Sequence, residues 1–168
     1  TAALFDLFWQ EASTNSALTV VIDEVLELND TEGDIIGDHA DFYVEVEIDG
    51  YEYRNEGKQN EDVDHIYPNW AFGRNVGITG EKLIVIELFD EDDDTADDPS
   101  PIDPVEGRND LDFWVNLDTG EIRLWEEPYT VLGNCGETIV SEGHANDDDR
   151  SRIWFRVLLP NIPPDVEV

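Results

Sequence analysis

Lys82-Leu83-Ile84-Val85-Ile86-Glu87-Leu88-Phe89 runs without a break into Asp90-Glu91-Asp92-Asp93-Asp94-Thr95-Ala96-Asp97-Asp98. The first segment is strand-sized and almost continuously apolar, so it belongs at the centre of a sheet. The second is a block of carboxylates placed where that strand must end. Together they predict an all-β domain that carries concentrated negative charge at one end.

Working outward, a period of two recurs along the chain. In residues 41–49, Phe42, Val44, Val46 and Ile48 alternate with Tyr43, Glu45, Glu47 and Asp49, as in a strand with one buried face. Asp49-Gly50 then marks a hairpin turn into Tyr51-Glu52-Tyr53-Arg54. Residues 18–28 and 70–76 read as strands, as do 111–117 and 120–125, which flank the turn Asp118-Thr119-Gly120. Residues 152–159 form a last strand with Ile153, Phe155, Val157 and Leu159 on one face. About eight short strands separated by turn signals predict an antiparallel eight-stranded β-sandwich. Only residues 2–12, with Leu4, Phe5, Leu7, Phe8 and Trp9, suggest a helix, and an edge strand or linker remnant suits them equally. The expected division is an N-terminal extension over 1–17, the sandwich over 18–160, and a linker over 161–168 following Pro160 and containing Pro163 and Pro164.

Composition agrees with one folded domain. The chain has 168 residues, 40% of them hydrophobic, with five Trp, seven Phe and five Tyr, enough to build a core despite the charge. Against 42 Asp and Glu stand 9 Lys and Arg, a formal net charge of −33, which repels nucleic acid and anionic lipid alike. The partners this favours are cations. No apolar run approaches the ~18 residues of a membrane span. Cys135 is a lone cysteine, so neither an internal disulfide framework nor a thiolate cluster is available. A start at Thr1 and the absence of Met suggest an excised or processed module of a longer or exported protein, with a neighbouring domain and an extracellular or periplasmic setting expected.

The carboxylates concentrate in two connections, residues 30–41 and 90–98. Hard divalent cations such as Ca²⁺ take six to eight oxygen ligands at roughly 2.3–2.6 Å, and such loops supply them without His or Cys. The second run is not an EF-hand: Asp90, Asp92 and Asp94 fit its first ligand positions, but Thr95 stands where Gly is required and Pro101 where the bidentate Glu belongs.

These residues resemble the C2 domains, sandwiches that bind Ca²⁺ between Asp-rich loops at one end. Asp30-Thr31-Glu32-Gly33 followed by Asp41-Phe42-Tyr43-Val44 is similar to the family's first loop, with Phe42 where the family usually has Pro. Tyr67-Pro68-Asn69-Trp70-Ala71-Phe72 is similar to its Asn-Pro-x-Trp-Asn stretch, and Asp90, Asp92 and Asp98 have the spacing of its third-loop ligands. The clear match covers residues 18 to 98. The resemblance implies that Asp30, Asp41, Asp90, Asp92 and Asp98 are the calcium ligands of a non-catalytic module. Because Asp30 and Asp41 enclose an insertion, Asp34 or Asp38 is an alternative to Asp30. Ile35 and Ile36, inside the first acidic loop, serve either as a membrane or partner tip or as a plug for the end of the sandwich. Lipid docking is not favoured, since the only lysines are Lys58 and Lys82 and the arginines are scattered. Asp147-Asp148-Asp149 reads as a solvated turn or a source of one more carboxylate.

Two other readings compete. Trp114, Trp125 and Tyr129 would form a stacking platform in a carbohydrate-binding sandwich with structural Ca²⁺, although core packing is the ordinary role of such Trp residues. Alternatively, the whole acidic surface is an adaptation to high salt, with no specific ion site. Enzyme signatures are absent: no G-x-S-x-G elbow, no phosphate-binding G-x-x-x-x-G-K-[ST] loop, no H-E-x-x-H. His39, His65 and His144 lie isolated in polar segments, and Cys135 has no His near it in sequence.

Overall fold

The structure is a computed structural model that describes residues 15–28, 41–55, 64–91 and 97–160. Twelve strands and no helix occur among them: β1 (Asn15–Glu27), β2 (Phe42–Ile48), β3 (Tyr51–Arg54), β4 (His65–Ile66), β5 (Trp70–Gly77), β6 (Glu81–Asp90), β7 (Asp98–Pro99), β8 (Leu111–Asn116), β9 (Glu121–Leu124), β10 (Val131–Asn134), β11 (Ile139–Glu142) and β12 (Ser151–Leu158). They pair antiparallel into two sheets. One has the order β11-β12-β1, with β4 and β5 both on the far side of β1; the other has the order β10-β9-β8-β6-β2-β3, with β7 beside the end of β6.

The apolar segment 82–89 is β6, central in its sheet as expected, between β2 on one side and β8 and β7 on the other. Alternation places Val44, Val46 and Ile48 of β2, Ile84, Ile86 and Leu88 of β6, and Phe113 and Val115 of β8 against Val20, Ile22, Phe155 and Val157 of the opposite sheet, all buried. The rings of Phe113 and Phe155, one from each sheet, pack 5.3 Å apart. In β1 the inward series Leu18, Val20, Ile22 skips to Val25 because a register irregularity at Asp23 inserts one residue, and the Asp23 carboxylate accepts two bonds from Arg156, at 2.7 and 2.8 Å. The turn at Asp49-Gly50 has φ of 51° and 76°, the left-handed pair that a two-residue hairpin needs and that Gly adopts without strain.

The eight expected strands are all present, and the count of twelve corrects the number. The four additions, β4, β7, β10 and β11, are two to four residues long. Asp98–Pro99 has no apolar residue and Val131–Asn134 contains Gly133, so their sequences read as connections and only the neighbouring strand makes them part of a sheet. The expectation that Trp114 and Trp125 pack in the core is also corrected. Phe113 and Val115 of β8, with Ile122 and Leu124 of β9, take the inward positions, leaving Trp114 half-buried on the outer face and Trp125 41% exposed. The possible helix over 2–12 and the linker over 161–168 lie outside the described residues.

Candidate functional site

Pairing brings the described ends of the two acidic connections, Asp41, Asp90 and Asp98, to one end of the second sheet. Phe42 at the start of β2 opposes Asp90 at the end of β6, and Asp90 in turn opposes Asp98 in β7. Asp41, one residue before β2, donates its backbone N–H to Asp90 Oδ1 at 2.7 Å, while its carbonyl accepts the N–H of Glu91 at 3.1 Å. Asp41, Asp90 and Asp98 are therefore neighbours in space, although 49 residues separate the first two. Asp41 and Asp90 are half-buried and Asp98 is exposed. Asp30, Asp34, Asp38, Ile35, Ile36 and Asp92 lie outside the described residues.

The donors gathered here are all carboxylate oxygens, which suit a hard cation and not a soft one. Asp41, Asp90 and Asp98 do not by themselves make a cage, since among the described residues no group of three or more His, Cys, Asp or Glu is placed to hold a metal ion. A hard cation takes about six to eight oxygen ligands, more than these three carboxylates arrange.

Two features of this end were not evident from sequence. The first concerns Asp97, an undistinguished member of the acidic run. Its carboxylate accepts the Tyr43 hydroxyl at 2.7 Å and lies 3.5 Å from an Arg54 terminal nitrogen. Arg54 also reaches Glu45 at 3.2 Å and sits over the Tyr43 ring, 4.3 Å from its centroid, and that ring stacks on Phe89 at 5.0 Å. Burial first, and then the bond to Asp97, raise the Tyr43 hydroxyl above its ordinary range, so it remains a donor. The second is the Asp147-Asp148-Asp149 turn, which lies at the same end as the start of β12. The Asp149 carbonyl accepts the Ser100 hydroxyl at 2.7 Å, and Asp147 accepts the Gly107 N–H at 3.0 Å, so the turn braces the connection after β7. Asp148 and Asp149 are exposed.

The remaining candidates have other surroundings. Cys135 is buried, which pushes its thiol up to about 11, far from a reactive thiolate. His65 bonds Glu24 at 2.6 Å and packs against Tyr67, and His144 accepts the Asn146 N–H at 3.3 Å. Tyr129 is 99% exposed.

No protein-family model and no curated protein sequence matches the chain. Solved structures do. The C2A domain of plant extended synaptotagmin 1 superposes with a TM-score of 0.54 at 12% identity, covering 90% of this chain and 97% of that one. Calcium-bound extended synaptotagmin 2, comprising its C2A and C2B domains, gives a TM-score of 0.50 at 15% identity over 86% of this chain and 45% of that one. Human GIVD cytosolic phospholipase A2 gives 0.50 at 18% identity over 94% of this chain, which spans 18% of that enzyme's length. The chain is a C2-like β-sandwich.

Proposed function

We propose that this chain is a non-catalytic calcium-binding module that holds Ca²⁺ at the acidic end of its sandwich, with Asp41, Asp90 and Asp98 as ligands and Asp30 and Asp92 completing the set. The observation that carries the reading is the pairing of β2, β6 and β7, which gathers carboxylates from two connections distant in sequence at the same strand ends. Likeness to a calcium-bound C2 structure supports the choice of ion. Bound Ca²⁺ would offset the mutual repulsion of these carboxylates, draw the two connections together and thereby stabilise the fold.

The test is a thermal melt in chelator against millimolar Ca²⁺, with Mg²⁺ and NaCl in parallel. Free Ca²⁺ a hundredfold above its dissociation constant is expected to stabilise by about 2.7 kcal/mol. Asp90→Asn should lose most of that gain while keeping its apo stability, because the amide oxygen still accepts the Asp41 N–H. An equal response to all three salts, or a full Ca²⁺ shift in Asp90→Asn, would overturn the proposal. The exposure of Trp125 and Tyr129 supports a second reading, a sugar-stacking surface. It is distinguished by sugar binding that survives Asp90→Asn.

A further inference from the structure

Asp97 is the last residue of the acidic run before β7, and its surroundings differ from those of its neighbour. β7 is only Asp98–Pro99, and its Pro99 has no N–H to donate. So short a strand has little pairing energy of its own. Asp98 nevertheless stands opposite Asp90, and the Ser100 N–H just beyond bonds the Leu88 carbonyl at 2.8 Å. Contacts outside the ladder hold the chain on either side of this strand, and on its far side the Ser100 hydroxyl bonds the Asp149 carbonyl at 2.7 Å and Ser151 Oγ at 2.8 Å.

On the near side of the strand the Asp97 carboxylate supplies the contact. Tyr43 and Phe89 are directly paired on β2 and β6, and Pro99 is in turn paired with Phe89, so the three share a row across the sheet. The next row, Phe42, Asp90 and Asp98, places its side chains on the opposite face. Asp97 is held to the Tyr43 and Arg54 side chains by a 2.7 Å hydroxyl bond and a 3.5 Å ion pair. Arg54 is fixed in turn by Glu45 and by the Tyr43 ring.

We propose that Tyr43 and Arg54 are positioning residues that pin Asp97 to the outer face of the sheet, which withdraws this carboxylate from the calcium ligands and sets Asp98 opposite Asp90. The proposal rests on the calcium reading above. It separates two adjacent carboxylates by role: Asp98 faces the ion, and Asp97 is a strut. A bond from a neutral donor to a charged acceptor is among the stronger hydrogen bonds, and because Tyr43 is buried it competes little with water.

Tyr43→Phe removes the hydroxyl alone and leaves the stacked ring. Two readouts are taken on the same protein: amide hydrogen exchange in chelator and Ca²⁺ affinity by calorimetry. In chelator, exchange at the Ser100 amide is expected to rise about tenfold, while the Gly136 amide, bonded to the Val157 carbonyl at 2.8 Å, stays as in wild type. Ca²⁺ affinity is expected to fall about tenfold, because the ligands must be ordered on binding. Asp97→Asn keeps an acceptor for the Tyr43 hydroxyl and should retain near-normal exchange and affinity, whereas Asp97→Ala should behave like Tyr43→Phe. Unchanged Ser100 exchange in Tyr43→Phe overturns the strut. Loss of Ca²⁺ binding in Asp97→Asn equal to that in Asp90→Asn overturns the division of roles. A wild type indifferent to Ca²⁺, together with faster exchange in Tyr43→Phe, removes the calcium reading and leaves the strut standing.

Discussion

Asp103 is a carboxylate placed where water barely reaches it: 2% of its surface is exposed. It accepts the Val105 N–H at 2.7 Å and lies 3.9 Å from Arg108 Nε. The terminal nitrogens of Arg108 are engaged elsewhere, with Asp112 at 2.7 Å and with Glu126. Burial outweighs the Val105 bond and the Arg108 charge, and raises the Asp103 carboxyl to about 6 from an ordinary 3.8. The folded state therefore binds this proton more tightly than the unfolded chain does. Its stabilising effect is complete below pH 3.8 and is lost as the pH rises through 6. At pH 7 the ionised group costs up to about 3 kcal/mol, from a shift of about two units. Asp103→Asn keeps an acceptor for Val105 and leaves Arg108 its other two partners. It should raise the melting temperature at pH 7, and the gain should vanish near pH 4. A destabilised variant at pH 7 would mean that the Arg108 pairing outweighs the cost of burial.

At the scale of elements, the connection between β7 and β8 is seated by backbone and hydroxyl bonds against the β11–β12 corner. Ser141 Oγ donates to the Ile102 carbonyl at 2.7 Å, the Ser151 N–H to that of Pro101 at 2.9 Å, and the His144 N–H to that of Asp103 at 3.1 Å. Ile102 is thereby driven completely into the core. The approach is close enough to require Gly143, where a Cβ would come within 2.3 Å of the Pro101 carbonyl oxygen and 2.8 Å of Arg150 Cβ. Gly143→Ala should cost about 2–3 kcal/mol in chemical denaturation. Gly77→Ala, with nothing within 4 Å, is the control and should change little. Equal stability of the two variants would show that the corner yields.

For the molecule as a whole, the fold concentrates part of the formal net charge of −33 on one face of the second sheet. On the outer face of the second sheet Glu45 directly opposes Glu87, and Glu47 opposes Glu52. These four, with Val85, Asp110 and Asp112, line a groove of about 240 Å³. Like charges directly opposite each other destabilise a ladder. Partial burial, then the charges of Asp110, Glu45, Glu52 and Asp112, raise the Glu87 carboxyl above its ordinary value. NaCl should therefore raise the melting temperature steadily by screening. Glu87→Lys replaces a repelling group with an attracting one and should add about 1 kcal/mol at low salt, a gain that shrinks as NaCl rises. A gain independent of salt would assign the effect to packing.

Much of this was legible in the chain itself. Period-two alternation in residues 41–49 and 152–159, the apolar run before Asp90 and the Asp49-Gly50 turn mark β2, β12, β6 and β3, and with the strand signals at 18–28, 70–76, 111–117 and 120–125 they give the eight main strands and the sandwich class, because such signals are local and each strand carries its own. The same alternation already assigns Glu45 and Glu47 to the outer face. What only tertiary structure decided depends on pairing between distant segments. β4, β7, β10 and β11 are strands because a neighbour bonds them, and Asp41 meets Asp90 because β2 lies beside β6. Asp97 and Asp98 are the same residue type, one position apart. Pairing with Asp90 gives Asp98 its place at the acidic end, and the Tyr43 hydroxyl with the Arg54 charge gives Asp97 a different one. Composition does not distinguish two adjacent carboxylates; the register of the sheet does.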